Sequence, residues 1–256
     1  MIHATAIVDA GARVAETASV GPYCIVGGEV EIGEGCQLQA HVFVQGPIKI
    51  GARNTFFPYS TVGVISQDLK FKGERSETVI GDDNTIREFV TIHRGTAGGG
   101  RVTRIGSNCL VMAYTHVAHD CNVGDRVILG NGVTLAGHVT IGDNVNVGAF
   151  SGVHQFCRVG RHAIVGGYSV VTQDVMPYSN TVSERTTRAF GVNKIGLERR
   201  GFSPESIAAL HRAFRLLVAS KLNTSQAIQK IRAAEVTPEV EELIGFIEGS
   251  ERGVVK

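Results

Sequence analysis

Tryptophan is absent from this chain, and aromatic residues make up only 6% of it. A broad core built on large rings is therefore excluded, and whatever is buried must be aliphatic. Long apolar runs are missing as well. No window approaches eighteen continuous apolar residues, which leaves no candidate for a membrane-spanning helix. The amino terminus has no basic stretch followed by an apolar one, which argues against secretion and for a cytoplasmic location. Charge of one sign is not in excess either: 25 Lys and Arg face 24 Asp and Glu. Nothing in that balance recruits nucleic acid over the whole chain. The cysteines number five, an odd count, with no C-x-x-C pair, so neither a disulfide framework nor a zinc cluster is indicated.

What the chain has is glycine, and a period of six. Aliphatic or aromatic residues recur at this spacing from Ile2 through Val8, Val14 and Val20 to Phe56 and Val62. They resume at Ile80, Ile86 and Ile92, then run from Ile105 to Val171. A repeat this long and this short in period predicts a solenoid. With the aliphatic residue as position 1, position 2 is often Gly (Gly33, Gly51, Gly81) and position 5 is small or β-branched (Ala18, Val42, Ser60). Positions 5, 6 and the next 1 form a short extended side, with 5 and 1 inward and 6 outward. Positions 2 to 4 turn the corner, where Gly, Asp and Asn tolerate unusual backbone angles. Three sides close a coil of eighteen residues, giving a triangular parallel β-helix over residues 1–178. Roughly nine coils at ~4.8 Å each make a prism ~40 Å long. Cys24, Cys36, Cys109, Cys121 and Cys157 all fall on inward position 5, where they are expected to pack as small hydrophobes.

Two insertions break the period. Val64 to Val79 is strongly polar, and Ala97 to Arg104 contains three consecutive glycines and is expected to be mobile. Loops interrupting a regular repeat are where function concentrates. Beyond Pro177 a linker is expected to run to Gly201, followed by a helical region that makes residues 191–256 a second domain. Ser203 and Pro204 read as the start of one helix, Ser225 to about Ala234 as a second, and Thr237–Pro238 as the start of a third. Between Arg185 and Lys221 eight Lys or Arg stand against two Glu, which suits an acidic or phosphorylated partner.

Six of the nine histidines lie between His93 and His162. Residues eighteen apart stack on adjacent coils, so His119, Gly137, Gln155 and Gln173 form one corner column, and Asp120, His138 and Phe156 the next. His116 points outward from the preceding strand. This patch suits acyl transfer to a hydroxyl. An imidazole can act as general base, a neighbouring carboxylate can orient it, and a glycine one coil away can offer its N–H to an oxyanion. The competing reading is a metal site using His116, His119 and His138. The strand-and-corner placement of His116 and His119 argues against it, and no bound metal is expected.

The segments His116–Cys121, Leu135–Val139, Val153–Cys157 and Gly196–Phe202, together with Gln67–Lys70 and Thr91–Thr96, closely resemble the UDP-N-acetylglucosamine O-acyltransferases, a family of hexapeptide-repeat acyltransferases. The resemblance covers nearly the whole chain. It implies a left-handed β-helix and a homotrimer with active sites between subunits. It also implies transfer of a 3-hydroxyacyl chain from acyl carrier protein to the glucosamine 3-OH of UDP-N-acetylglucosamine, the opening step of lipid A synthesis. No cofactor is implied, because the carrier protein brings the thioester. His119 matches the family's general base and Gly137 its oxyanion donor. Asp68, Lys70, His93, His116, His138 and His154 match residues lining the sugar and acyl site. Gln155, Asn193, Arg199 and Arg200 match nucleotide contacts, and Gly167 the position that sets acyl length. Two departures stand out: Ile195 where some members carry Glu, and Ser183–Arg188 in place of a turn containing Gly-Asn. They leave room for an acceptor with an amine in place of the 3-hydroxyl. The sister N-acyltransferase and a trimeric zinc carbonic anhydrase-like enzyme are the other readings.

Overall fold

A computed structural model describes residues 1–181, 189, 191–234, 236–250 and 254; the departure at Ser183–Arg188 lies outside them. The chain divides into two compact units, Met1–Glu184 and Arg185–Lys256.

The first unit is a left-handed parallel β-helix with three faces. Nine strands from Ile7–Val8 to Val170–Val171 make the first face, eight from Arg13–Val14 to Arg158–Val159 the second, and nine from Ser19–Val20 to Asn180–Thr181 the third. Register follows the repeat: Ile7 pairs with Ile25, and His116 with Thr134. Inward positions 1 and 5 are buried along the prism, as Val44 and Val117 illustrate for position 1 and Val42 and Val133 for position 5. All five cysteines are free and buried on this inner row. The Cys121 thiol donates to the Ala136 carbonyl at 3.1 Å, and burial pushes its pKa up to about 12. It is inert core, as the spacing predicts.

The corners differ from expectation. The residue in the left-handed backbone region is position 4, and it is seldom glycine. Asp120 (φ 58°), His138 (63°) and Phe156 (67°) all adopt it. Such a conformation is costly for side chains with a Cβ. Hydrogen bonds between coils offset it, as when His138 N–H donates to His119 C=O at 3.1 Å and Phe156 N–H to Gly137 C=O at 3.1 Å. Ring stacking adds to this: His138 lies on Phe156 at 4.5 Å, nearly parallel. Glycine at position 2 serves close packing instead. A Cβ on Gly33 would sit 2.5 Å from the Gly51 carbonyl oxygen of the next coil.

The insertion after Gly95 adopts a defined turn. Ala97–Gly99 forms one 3-10 turn. Gly99 and Arg101 N–H groups both donate to Thr96 C=O, and Glu77 N–H donates to Arg101 C=O at 2.8 Å.

The described residues of the second unit hold four helices: α1 (Lys194–Arg199), α2 (Pro204–Val218), α3 (Thr224–Arg232) and α4 (Pro238–Glu248). The last three match the sequence reading to within two residues at their starts. Ser203 caps α2, and Asn223 with Gln226 forms a reciprocal capping box on α3. Leu210, Ala213 and Leu217 of α2 pack with Ile228 and Ile231 of α3 and Ile244 of α4. α1 falls where a linker was expected. Its six residues are too few to show a periodic apolar face, and it is closed by the Asn193 side-chain cap at one end and Gly201 (φ 80°) beyond the other. No helix among the described residues is long and apolar enough to cross a membrane.

Candidate active site

The edge between the first and second faces carries a cleft of about 350 Å³. Successive coils supply its wall, which is why residues distant in sequence converge there. His93 and His116 come from first-face strands, His119, His138, Gln155 and Phe156 from the corners, and Gln67, Asp68 and Lys70 from the first insertion. That insertion is shaped locally. Asp68 N–H donates to Ser66 Oγ, and Asp68 Oδ1 in turn accepts from Lys70 N–H, each at 3.0 Å.

The centre of the cleft is a His–Asp pair. His119 Nδ1 lies 2.8 Å from Asp120 Oδ2. An ionised carboxylate only accepts, so Nδ1 carries the proton and Nε2 keeps its lone pair. The Asp120 side chain is fully buried. Hydrogen bonds compensate for that burial: Thr96 N–H donates to Oδ1 at 2.8 Å and Thr96 Oγ1 to Oδ2 at 2.6 Å. The backbone beneath is pinned as well, with Asp120 N–H donating to Thr103 Oγ1 at 2.8 Å. Thr96 and Thr103 are contributions that the eighteen-residue arithmetic misses. Thr96 immediately precedes the second insertion and Thr103 lies near its end, where coil counting loses register.

Gly137 lies under His119, as the column predicts. A Cβ there would fall 2.6 Å from His119 Cε1 and 2.7 Å from Nε2. Among the described residues, no acceptor pairs with the Gly137 N–H. His138 meets His119 edge-on at 5.1 Å. Its Nε2 stands 3.9 Å from Asp120 Oδ2, beyond hydrogen-bond reach.

Both strand histidines have pKa values below the ordinary imidazole value. His116 Nδ1 pairs with Thr91 Oγ1 at 2.7 Å, and its ring meets His93 edge-on at 4.9 Å. Burial, then the neighbouring His116 and His119, bring the His93 pKa down to about 4. Burial and His119 lower that of His116. The metal reading changes with this geometry. Among the described residues the one group able to offer three clustered ligand atoms is His119, Asp120 and His138, all within 4.8 Å. His116 is not in it.

Not every expected residue joins this cleft. His154 is exposed on the same edge, but its Nδ1 faces the Gln155 carbonyl and it is not part of the cleft wall. Gly167 lies beside Tyr168 on a different edge, between the third and first faces. Asn193, Arg199 and Arg200 belong to the second unit. There Asn193 caps α1 by accepting from Gly196 N–H, Arg199 is in its last turn, and Arg200 closes it.

Known proteins resemble this chain in sequence and fold. The family model described as UDP-N-acetylglucosamine O-acyltransferase, domain 2, matches residues 174–255, and the bacterial transferase hexapeptide model matches 103–137 and 138–173. A relative from Thermodesulfovibrio yellowstonii, the acyl-[acyl-carrier-protein]–UDP-N-acetylglucosamine O-acyltransferase, is 45% identical over 100% of this chain and 99% of its own. The crystal structure of LpxA from Acinetobacter baumannii is similar at 44% identity and a TM-score of 0.71, covering 100% of this chain and 99% of that one. The UDP-N-acetylglucosamine acyltransferase of Francisella novicida is 38% identical with a TM-score of 0.72, covering 100% and 94%. With a repeat, a helical unit and a full-length relative all in agreement, the chain belongs to the UDP-N-acetylglucosamine O-acyltransferase family.

Proposed function

We propose that this protein transfers a 3-hydroxyacyl group from acyl carrier protein to the 3-hydroxyl of UDP-N-acetylglucosamine, the first step of lipid A synthesis. The observation that carries the reading is the His119–Asp120 pair seated directly over Gly137. His119 Nε2 takes the sugar hydroxyl proton as that oxygen bonds to the thioester carbon. The Gly137 N–H faces the charge that develops on the carbonyl oxygen. The C–S bond then breaks, and the carrier thiolate recovers the proton from the imidazolium. The thiols are buried and, among the described residues, the cleft is lined by no Ser or Cys, which supports direct transfer without an acyl-enzyme. Asp68, Lys70, His93, His116, His138 and Gln155 surround the sugar and acyl ends. Arg199 and Arg200 suit a diphosphate, with Asn193 beside them. No resident cofactor enters this scheme, and a cytoplasmic location accords with the carrier-protein donor.

A homotrimer belongs to the same proposal, and the charge distribution supports it. Outward residues on the second face include Arg13, Glu31, Lys49, Arg104 and Arg158. Those on the first face run Ile25, Phe43, Thr61, Thr91, His116, Thr134, Gly152 and Val170, with no Lys, Arg, Asp or Glu. The third face is likewise uncharged, with Gln37, Thr55, Thr85, Leu110, Ile128 and Ile164. The edge joining these two faces carries stacked rings, Tyr23–His41–Tyr59–Phe89–Tyr114, at successive centroid distances of 5.0–5.1 Å. Tyr114 there is 64% exposed in the single chain. Apolar faces of this kind are covered in stable assemblies. In this proposal the uncharged first face, which lies between the His119 edge and the Gly167 edge, lines the acyl chain, and His154 of one copy serves the cleft of another.

The test is mass spectrometry of UDP-N-acetylglucosamine incubated with a mixture of 3-hydroxyacyl carrier proteins. A 3-O-acylated product supports the reading. No product with this acceptor, but N-acylation of the 3-amino analogue, redirects it to an amine acceptor.

A further inference from the structure

The second insertion performs a task in this site. We propose that Thr96 is a positioning residue for the acyl transfer: with the turn that begins at Ala97 closed over it, it fixes the Asp120 carboxylate so that one oxygen alone faces His119. This rests on the reading of His119 as the base.

Three observations converge on it. First, Thr96 uses two donors on one carboxylate, its N–H to Oδ1 and its hydroxyl to Oδ2. A carboxylate bound at both oxygens from one residue cannot rotate about its terminal bond. Oδ2 is thereby presented to His119 Nδ1 at 2.8 Å. Second, the turn leaves no slack. A Cβ on Gly99 would lie 2.0 Å from Asp120 Cγ, and one on Gly95 would lie 2.8 Å from Oδ1. Gly95 and Gly99 let backbone close directly onto the carboxylate, which accounts for glycine at those two positions. Third, Thr96 is 4% exposed and absent from the cleft wall, so it acts through Asp120 and not on substrate.

The arrangement has an electrostatic consequence. Oδ2 accepts from both Thr96 Oγ1 and His119 Nδ1, so the hydroxyl shares the negative charge that stabilises the imidazolium. Without the hydroxyl, the carboxylate holds the imidazolium proton more strongly. The other groups facing His119 are His138 at its edge, His116 and His93 on the strands, and Asp68 and Lys70 across the cleft. None of them shares a hydrogen bond with Thr96, whose side chain bonds Asp120.

The experiment compares Thr96→Val, Thr96→Ser and His119→Ala in the full-length protein, with kcat, KM and pH profiles for the carrier-protein thioester and sugar nucleotide. Val keeps the shape and removes the hydroxyl, while Ser keeps the hydroxyl. For Thr96→Val the expected result is a fall in kcat on the order of tenfold, the weight of one hydrogen bond to a charged group. KM should be little changed, and the acid limb of kcat/KM should move to higher pH. Thr96→Ser should restore both. A purely structural Thr96 would lower the thermal midpoint and the active fraction but leave the acid limb where it is, and that result overturns the proposal. Should His119→Ala retain activity, the base assignment itself fails. If His119→Ala is inactive while Thr96→Val matches wild type in rate and limb, only the Thr96 proposal fails.

Discussion

The C-alpha of Gly137 and the ring of His119 occupy contacting positions on adjacent coils: a methyl group on that glycine would lie 2.6 Å from His119 Cε1. Real side chains do not approach so closely, so the imidazole would have to tilt off Asp120. Gly137→Ala is expected to fold normally and to lose about 10²–10³ in kcat, the weight of a misplaced base and a displaced oxyanion donor. Steady-state kinetics alongside a thermal melt checks this. A variant within threefold of wild type would remove Gly137 from the mechanism.

Burial of His93 links stability to pH. Its folded pKa of about 4 lies below the ordinary 6.5. Above pH 6.5 neither state is protonated and the stability is fully present. As pH falls from 6.5 towards 4, the unfolded chain takes up a proton that the folded chain refuses, and stability is lost. Below about 4 both states bind it and the loss levels off. The total is on the order of 3 kcal/mol. Chemical denaturation of wild type and His93→Leu across this window is expected to show a shallower decline in the variant. Equal slopes would contradict the assignment.

Gly167 has an ordinary backbone conformation, and a Cβ there would approach nothing closer than Ala149 O at 3.3 Å. A larger side chain therefore leaves the coil intact and projects into the proposed acyl path. Gly167→Met is expected to shift the preferred donor to a shorter acyl chain with wild-type stability. Competition among carrier proteins of different chain length measures it, and an unchanged preference would detach Gly167 from chain selection.

The His119, Asp120 and His138 trio could hold a metal by distance alone. Asp120 is already occupied by Thr96, and His119 Nδ1 by Asp120. Dialysis against a chelator is therefore expected to leave activity unchanged. Loss of one equivalent of zinc together with the activity would favour metal chemistry instead.

How far the sequence discloses this site follows from the geometry of the coil. Inward Val and Ile recur at every sixth residue, so faces, core and inert cysteines can be counted off. Adding eighteen to His119 reaches Gly137 and then Gln155, and the structure stacks them that way. Counting fails where the period is interrupted. Thr96 contacts Asp120 across an insertion, so no fixed offset relates them. The left-handed corner was harder to foresee, because Tyr, Phe and His hold positions that local sterics would give to glycine. Stacking and hydrogen bonds between coils, both non-local, decide that contest. α1 was hidden for a different reason, its brevity. Gly167 and His154 carry no signal within one chain because their proposed roles require a second copy.

The central claim is that His119 Nε2 removes the acceptor proton during direct transfer. The measurement that tests it is the turnover of UDP-N-acetylglucosamine with a 3-hydroxyacyl carrier protein by His119→Ala, with wild type and variant matched in thermal midpoint and oligomeric state. The account predicts a fall of at least ~10³ in kcat for the folded variant and no acylated protein in either sample after donor alone. Near wild-type turnover by His119→Ala, or an acyl group found on the protein, would contradict it.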